Sequence, residues 1–256
     1  MTKKIIRGSG GGSPPAPPQP TRTPDTLHSR QFATFLDLVS EGEIEGFATA
    51  SKEGRTKGTT AYNNAALKDV ILNDTPVLKA TADSTNPVAT DFNFQDVSFN
   101  PRFGTSSQTK VEGIESSSSV TAVGVTVTTS SPVTRQITNT DVDAANITIT
   151  FPQIQKATDK GDLLGSTVQL KISVQYNSGG FTDLITDTIT GRTADAYQRD
   201  YRVELTGAFP VDIRVSRITA DSTDSSLLDA FEWTSLGEII DDANTYANSA
   251  YAAIRL

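Results

Sequence analysis

From Val168 to Tyr176 apolar side chains fall at every second position: Val168, Leu170, Ile172, Val174 and Tyr176. Asn177-Ser178-Gly179-Gly180 follows at once, and the chain then runs through Phe181 to Ile185 and Ile189. Side chains of an extended backbone point alternately to opposite faces, so this pattern buries one face and wets the other. Asn and Gly tolerate the left-handed backbone of a tight turn, so the segment reads as a hairpin. A hairpin cannot bury its apolar face alone and needs a second layer. Other segments supply it: Ile147, Ile149 and Phe151, stopped by Pro152; Tyr201 to Leu205; then, after the break at Phe209-Pro210, Val211, Ile213 and Val215. Phe231-Glu232-Trp233, Ile239-Ile240 and Tyr251 to Leu256 read as further strands, and the β-branched run over 115–131 reads the same way. Val133 and Ile137 flank another short segment. The expected fold is mainly β with minor α: an antiparallel β-sandwich or barrel, preceded by a disordered arm.

The first half carries weaker signals. Six of the twelve prolines precede residue 25, next to Gly8 and Gly10 to Gly12, so residues 1–26 read as a flexible arm. Its Pro14, Pro15, Pro17 and Pro18 favour an extended polyproline stretch able to lie along a neighbour. Phe32, Phe35, Leu36 and Val39 have helical spacing, which predicts a short helix within 31–47, stopped by Gly42 and Gly46. Residues 48–66 read as a loop, and 69–78 as a hairpin turning on Asn73-Asp74-Thr75-Pro76. Phe92, Phe94, Val97 and Phe99 predict a half-buried strand closed by Pro101 and Gly104. The body, 27–256, is expected to be one β-rich region or two subdomains divided near 130–140.

Charge and composition exclude several chemistries. The first 30 residues hold five basic side chains and one acidic, which leaves 17 basic against 29 acidic in the remainder. So acidic a body repels a phosphate backbone. There is no cysteine and a single histidine, His28, beside the arm, which removes thiolate sites and a core Ser-His-Asp triad. No run is long and apolar enough to span a membrane. Asp141/Asp143, Asp221/Asp224 and Asp241/Asp242 are paired carboxylates in turn-like contexts, where Asp caps its own backbone. The 221–226 run lacks the glycine of a calcium loop, and Gly8 to Gly12 lacks the strand and Gly-Lys-Ser/Thr of a phosphate loop. No catalytic, metal or cofactor site is expected. The one basic density is Arg192, Arg199, Arg202, Arg214 and Arg217. Arg202 and Arg214 are placed on adjacent strands, and Arg202, Arg214 and Arg217 are candidates for a salt-bridged surface or subunit interface. Trp233, the only tryptophan, is expected as a core residue or an interface anchor.

Several segments taken in order carry a resemblance. Leu38-Val39-Ser40-Glu41-Gly42-Glu43-Ile44-Glu45-Gly46 is followed by Val70-Ile71-Leu72-Asn73-Asp74-Thr75-Pro76-Val77, Asp159-Lys160-Gly161-Asp162 and Asn177-Ser178-Gly179-Gly180. Ile213-Arg214-Val215-Ser216-Arg217-Ile218-Thr219-Ala220-Asp221-Ser222-Thr223, the most specific part, and Trp233 with Glu238-Ile239-Ile240 complete the series. Over about residues 30–250 the chain resembles the tip attachment (host specificity) protein J family of lambda-like long-tailed phages. That resemblance implies a non-catalytic virion protein at the distal end of the tail, a homotrimeric hub docked on tail-tube and tail-tip proteins. It also implies a part in host attachment and DNA ejection, with the host receptor met by a distal region beyond these residues. The rival expectation is a receptor- or carbohydrate-binding β-sandwich, which calls for aromatic side chains exposed on one face. A hydrolase calls for a catalytic constellation that the residues do not present.

Overall fold

The computed structural model describes residues 19–29, 34–111 and 114–255. In chain order the elements are β1 (Thr34–Glu41), α1 (Ala48–Lys52), α2 (Thr60–Ala66), β2 (Ile71–Leu72), β3 (Thr75–Pro76), β4 (Ser98–Phe103), β5 (Glu115–Thr126), β6 (Val133–Ile137) and β7 (Ala144–Phe151). They continue with β8 (Gln155–Ala157), β9 (Leu163–Leu164), β10 (Ser166–Tyr176), β11 (Thr182–Gly191), β12 (Tyr197–Glu204), β13 (Val211–Arg217), β14 (Leu227–Leu228), β15 (Glu232–Asp241) and β16 (Ser249–Arg255). Among the described residues no helix is long and apolar enough to cross a membrane.

Residues 115–241 form a β-sandwich. One antiparallel sheet has the order β11-β10-β13-β6 and the other β12-β7-β15-β5. The alternation in β10 places Val168, Leu170, Ile172 and Val174 in one core with Ile147, Ile149, Phe151, Ile213, Val215, Phe231 and Trp233, all buried. The β10–β11 hairpin turns on Asn177 and Ser178, both in the left-handed region. Trp233 and Leu236 both face the core although an odd spacing separates them. The register of β15 shifts between Trp233 and Ser235 against both neighbours, and this bulge restores the face. The same bulge explains why Glu232-Trp233 and Ile239-Ile240 read as separate segments yet belong to one strand.

A second, smaller core lies outside the sandwich. Here β16 is central in a three-stranded sheet with β1 and β4. Ala50, Tyr62, Ala65, Ala66 and Leu67 of the helical segment pack with Phe99, Ala252 and Ile254. Cores therefore change at 111–115 and again at 241–249, on either side of the sandwich, whereas the division expected near 130–140 falls inside it.

Three local expectations are corrected. Residues 34–41 form a strand, not a helix, because their partner is β16, more than 200 residues away in sequence. The helical spacing competes with the alternation of Leu36 and Leu38 around Asp37, and only the distant pairing decides between them. Residues 48–66 hold two short helices rather than a loop. The Thr49 amide and hydroxyl both donate to the Asp69 carboxylate, and the Thr59 hydroxyl caps α2 by accepting from the Tyr62 amide at 3.2 Å. Residues 92–97 are irregular, since Asp96 takes a positive φ, and the strand begins only at Ser98. It runs through Pro101 instead of ending there, which β4 tolerates as an edge strand.

The described end of the arm is ordered along its own chain. Thr23 N–H donates to the Leu163 carbonyl at 2.8 Å, Leu163 N–H to the Thr21 carbonyl at 2.9 Å and Thr21 N–H to Asp162 Oδ1 at 2.6 Å. Further along, Thr26 N–H donates to the Arg192 carbonyl at 3.1 Å, and Leu27 packs on the sandwich core. A Cβ at Gly191, whose φ is +154°, would lie 2.9 Å from Leu27 Cγ, so glycine lets this strap seat. Pro14, Pro15, Pro17 and Pro18 lie outside the described residues.

Phe231→Ala empties a fully buried site beside Phe151 and Trp233, and a loss of about 3–5 kcal/mol is expected. Chemical denaturation followed by the single tryptophan's emission measures it. In the smaller core, Lys68 and Arg55 hold Glu53 at 2.8 and 3.1 Å. The hydrogen bond from Lys68, chiefly, lowers the Glu53 pKa from 4.5 to about 2. A carboxyl depressed in the folded state stabilises above its unfolded pKa and loses that contribution as pH falls toward 2. Denaturation midpoints between pH 4.5 and 2 are expected to fall less steeply for Glu53→Gln than for the native chain.

Candidate assembly interface

The cationic residues expected at an interface are scattered by the fold. Arg217 follows Ile213 and Val215 on the inward face of β13 and is buried. Its Nη1 donates to the Asp229 carbonyl at 2.8 Å, its Nη2 lies 2.9 Å from Asp229 Oδ1, and its guanidinium sits 5.7 Å from the centre of the Phe231 ring. Trp233 is fully buried, and its indole N–H donates to the Ser235 carbonyl at 2.8 Å. Neither side chain is open to a partner. Arg202 belongs to β12 and Arg214 to β13, in opposite sheets of the sandwich, so they are not on adjacent strands. Arg202 reaches both oxygens of the buried Asp241 at 2.8 and 2.7 Å and Glu204 at 2.7 Å. Burial alone would lower its pKa; Glu204 and Asp241 more than offset this and raise it. Arg214 lies over the Phe181 ring at 3.8 Å. Arg199 pairs with Asp187 at 3.1 Å, and the Tyr201 hydroxyl donates to the same carboxylate at 2.6 Å, which ties edge strand β12 to edge strand β11. Burial, reinforced by that carboxylate, raises the Tyr201 pKa, so the phenol stays a donor.

The carboxylate pairs divide likewise. Asp224 and Asp242 cap turns by accepting from the amides of Ser226 and Asn244, each at 2.9 Å. Asp241 and Asp143 do otherwise: Asp241 is the buried partner of Arg202, and Asp143 accepts from the Asp241 amide at 2.9 Å. Asp221 accepts from the Thr129 amide at 2.9 Å and lies 3.3 Å from Arg217.

What the fold does expose is β1. Among the described residues it has one strand neighbour, β16, and both of its faces are open. Phe35 and Leu38 are 49% and 64% exposed, with Leu36 and Val39 also exposed. The opposite edge of this sheet is closed. On β4 the Phe99 carbonyl accepts from the Asn63 side chain, the Phe103 carbonyl accepts from Ile44 N–H at 2.8 Å, and Pro101 has no N–H to offer. An exposed apolar edge strand is a template for another chain. Around it stand Asp37, Glu41, Glu43 and Glu45, and none is in an ion pair among the described residues. Sequence reasoning misses this surface because the same apolar residues satisfy a helical period.

Residues 117–242, which coincide with the sandwich, match the model of the FNIII-A domain of tip attachment protein J. The chain belongs to the tip attachment protein J family. It is 33% identical over 94% of its length to Tip attachment protein J of Escherichia phage SECphi4, and 31% identical over 94% to Tip attachment protein J of Escherichia phage SECphi27. It covers 19% and 18% of those two relatives, so it spans about a fifth of their length. A solved chain described as "CBM4 structure and function" aligns at a TM-score of 0.20 with 12% identity, over 43% of this chain and 57% of that one, a likeness too low to carry an argument.

Asp229→Ala leaves Arg217 buried without its carboxylate. A loss of about 3–5 kcal/mol is expected, while Arg217→Met with Asp229→Leu in the same chain recovers most of it. Urea denaturation of the three proteins checks this.

Proposed function

We propose that this chain is a structural part of a phage tail tip. In this reading it forms the central hub that joins the end of the tail tube to the distal receptor-binding part, as a homotrimer in contact with other tail-tip and tail-tube proteins at the distal end of the virion's tail. It takes part in host attachment and DNA ejection as the element through which the two ends are mechanically linked. The observation that carries this reading is the identity with two proteins called Tip attachment protein J across almost the whole chain.

The surface chemistry supports it. A protein that works by assembly needs rigid modules and at least one face that is incomplete in isolation. The sandwich supplies the rigid module, with both sheets packed around a continuous core. Strand β1 supplies the incomplete face, where apolar side chains stand open along a sheet edge. A sugar-binding reading calls for an aromatic platform, and the one tryptophan is in the core.

Leu38→Asp with Val39→Asp places two charges on this edge without touching a buried side chain. Covering two such half-exposed side chains contributes about 3 kcal/mol, so association is expected to weaken roughly a hundredfold. Phage carrying the double substitution are expected to yield particles that lack the protein or do not infect, although the purified chain keeps its thermal midpoint. Normal incorporation and plating by that phage, or a whole protein that stays monomeric at micromolar concentration, would count against the proposal.

A further inference from the structure

We infer that the open edge of β1 is completed by the segment Lys3-Lys4-Ile5-Ile6-Arg7 of this same protein, added as a further strand. This rests on the assembly reading, in which β1 is a covered edge, and names what covers it.

Two properties of the edge select its occupant. It is apolar on both faces, through Phe35, Leu36, Leu38 and Val39. It is also acidic: residues 34–47 carry Asp37, Glu41, Glu43 and Glu45 and no basic side chain. A complementary strand therefore needs β-branched or aliphatic side chains flanked by positive charge. Lys3 to Arg7 has Ile5 and Ile6 between Lys3, Lys4 and Arg7, and residues 1–18 contain no acidic side chain at all. Four cations on the strands of the sandwich already have carboxylate partners: Lys171 with Asp183, Arg199 with Asp187, Arg202 with Asp241 and Arg217 with Asp229.

Residues 8–18 separate the basic segment from the first described residue, which is roughly 35 Å of extended chain. The strap that follows is seated on the sandwich from Thr21 to Ser29, whose hydroxyl accepts from the Gln198 amide at 2.9 Å. Ser29 precedes Thr34 by five residues, so the C-terminal end of the strap lies within about 18 Å of the start of β1, while the tether, residues 8–18, leaves from its other end at Gln19.

The chain has no cysteine, so a disulfide trap reads the contact directly. Ile5→Cys is combined in turn with Leu36→Cys, Leu38→Cys and Ser40→Cys, and, as a control, with Leu184→Cys, an exposed position on β11. Oxidation of the full chain is expected to bridge residue 5 to at least one β1 position and not to residue 184, because a disulfide closes only when the two Cβ atoms come within about 4 Å. A bridged species of monomer mass shows that a chain covers its own edge, and one of dimer mass that it covers a neighbour's; either supports the inference. Adding Lys3→Glu and Lys4→Glu is expected to lower the yield about tenfold at low salt. No bridge to β1, or an equal yield with residue 184, overturns the inference. If the Leu38→Asp, Val39→Asp phage fails to assemble while no bridge forms, β1 is covered by another protein: the assembly reading stands and the basic segment is not the occupant.

Discussion

The antiparallel pairing of β5 with β15 is the constraint on which the rest of the architecture depends. It sets Glu115 opposite Asp241, and Asp242 N–H donates to the Ile114 carbonyl at 2.6 Å. The chain therefore enters and leaves the sandwich at one place. A module whose ends lie side by side can sit within another unit without distorting it. That is why β4 and β16, separated by almost 150 residues, still pair residue for residue from Ser98 to Phe103. With β16 fixed, β1 has a partner, and the small helices have a sheet to cover.

Within the sandwich, polar groups mark its boundaries while apolar ones fill it. Arg217 closes one end of the core, where its guanidinium meets Asp229 and the Phe231 ring. Arg202 and Asp241 lie at the margin where β15 leaves toward the smaller sheet. Tyr201, Asp187 and Arg199 join the two sheets along one edge. Buried pairs of this kind add little net stability compared with apolar replacements, but losing one partner is costly.

Much of the fold is legible in the residues, and where it is not the reasons are physical. The β10–β11 hairpin and β7 can be read because alternation and turn chemistry are local. The bulge in β15 cannot, since one extra residue, Thr234, breaks the period and only its neighbours' register reveals it. Strand β1 escapes because its apolar residues fit two periods, and the deciding partner is at the far end of the chain. Arg217 reads as a surface residue because charge predicts exposure; its inward parity with Ile213 and Val215 is the signal that places it in the core. The final part of the arm reads as unstructured by composition, yet Asp162 and Gly191 hold it.

The contrast between the two edges of the small sheet bears on how the protein behaves. Edge strands in soluble proteins are blunted by proline, by charge or by cover, because a bare edge recruits other chains. On β4 the Phe99 and Phe103 carbonyls have donors within the chain, and Pro101 presents no N–H. On β1 none of these devices appears among the described residues apart from the acidic side chains. Those charges discourage pairing with a second β1, since like charges would face one another. They do not discourage a basic strand. The edge is thus closed to its own kind and open to a partner of opposite charge, which is the pattern expected of a surface used for specific assembly.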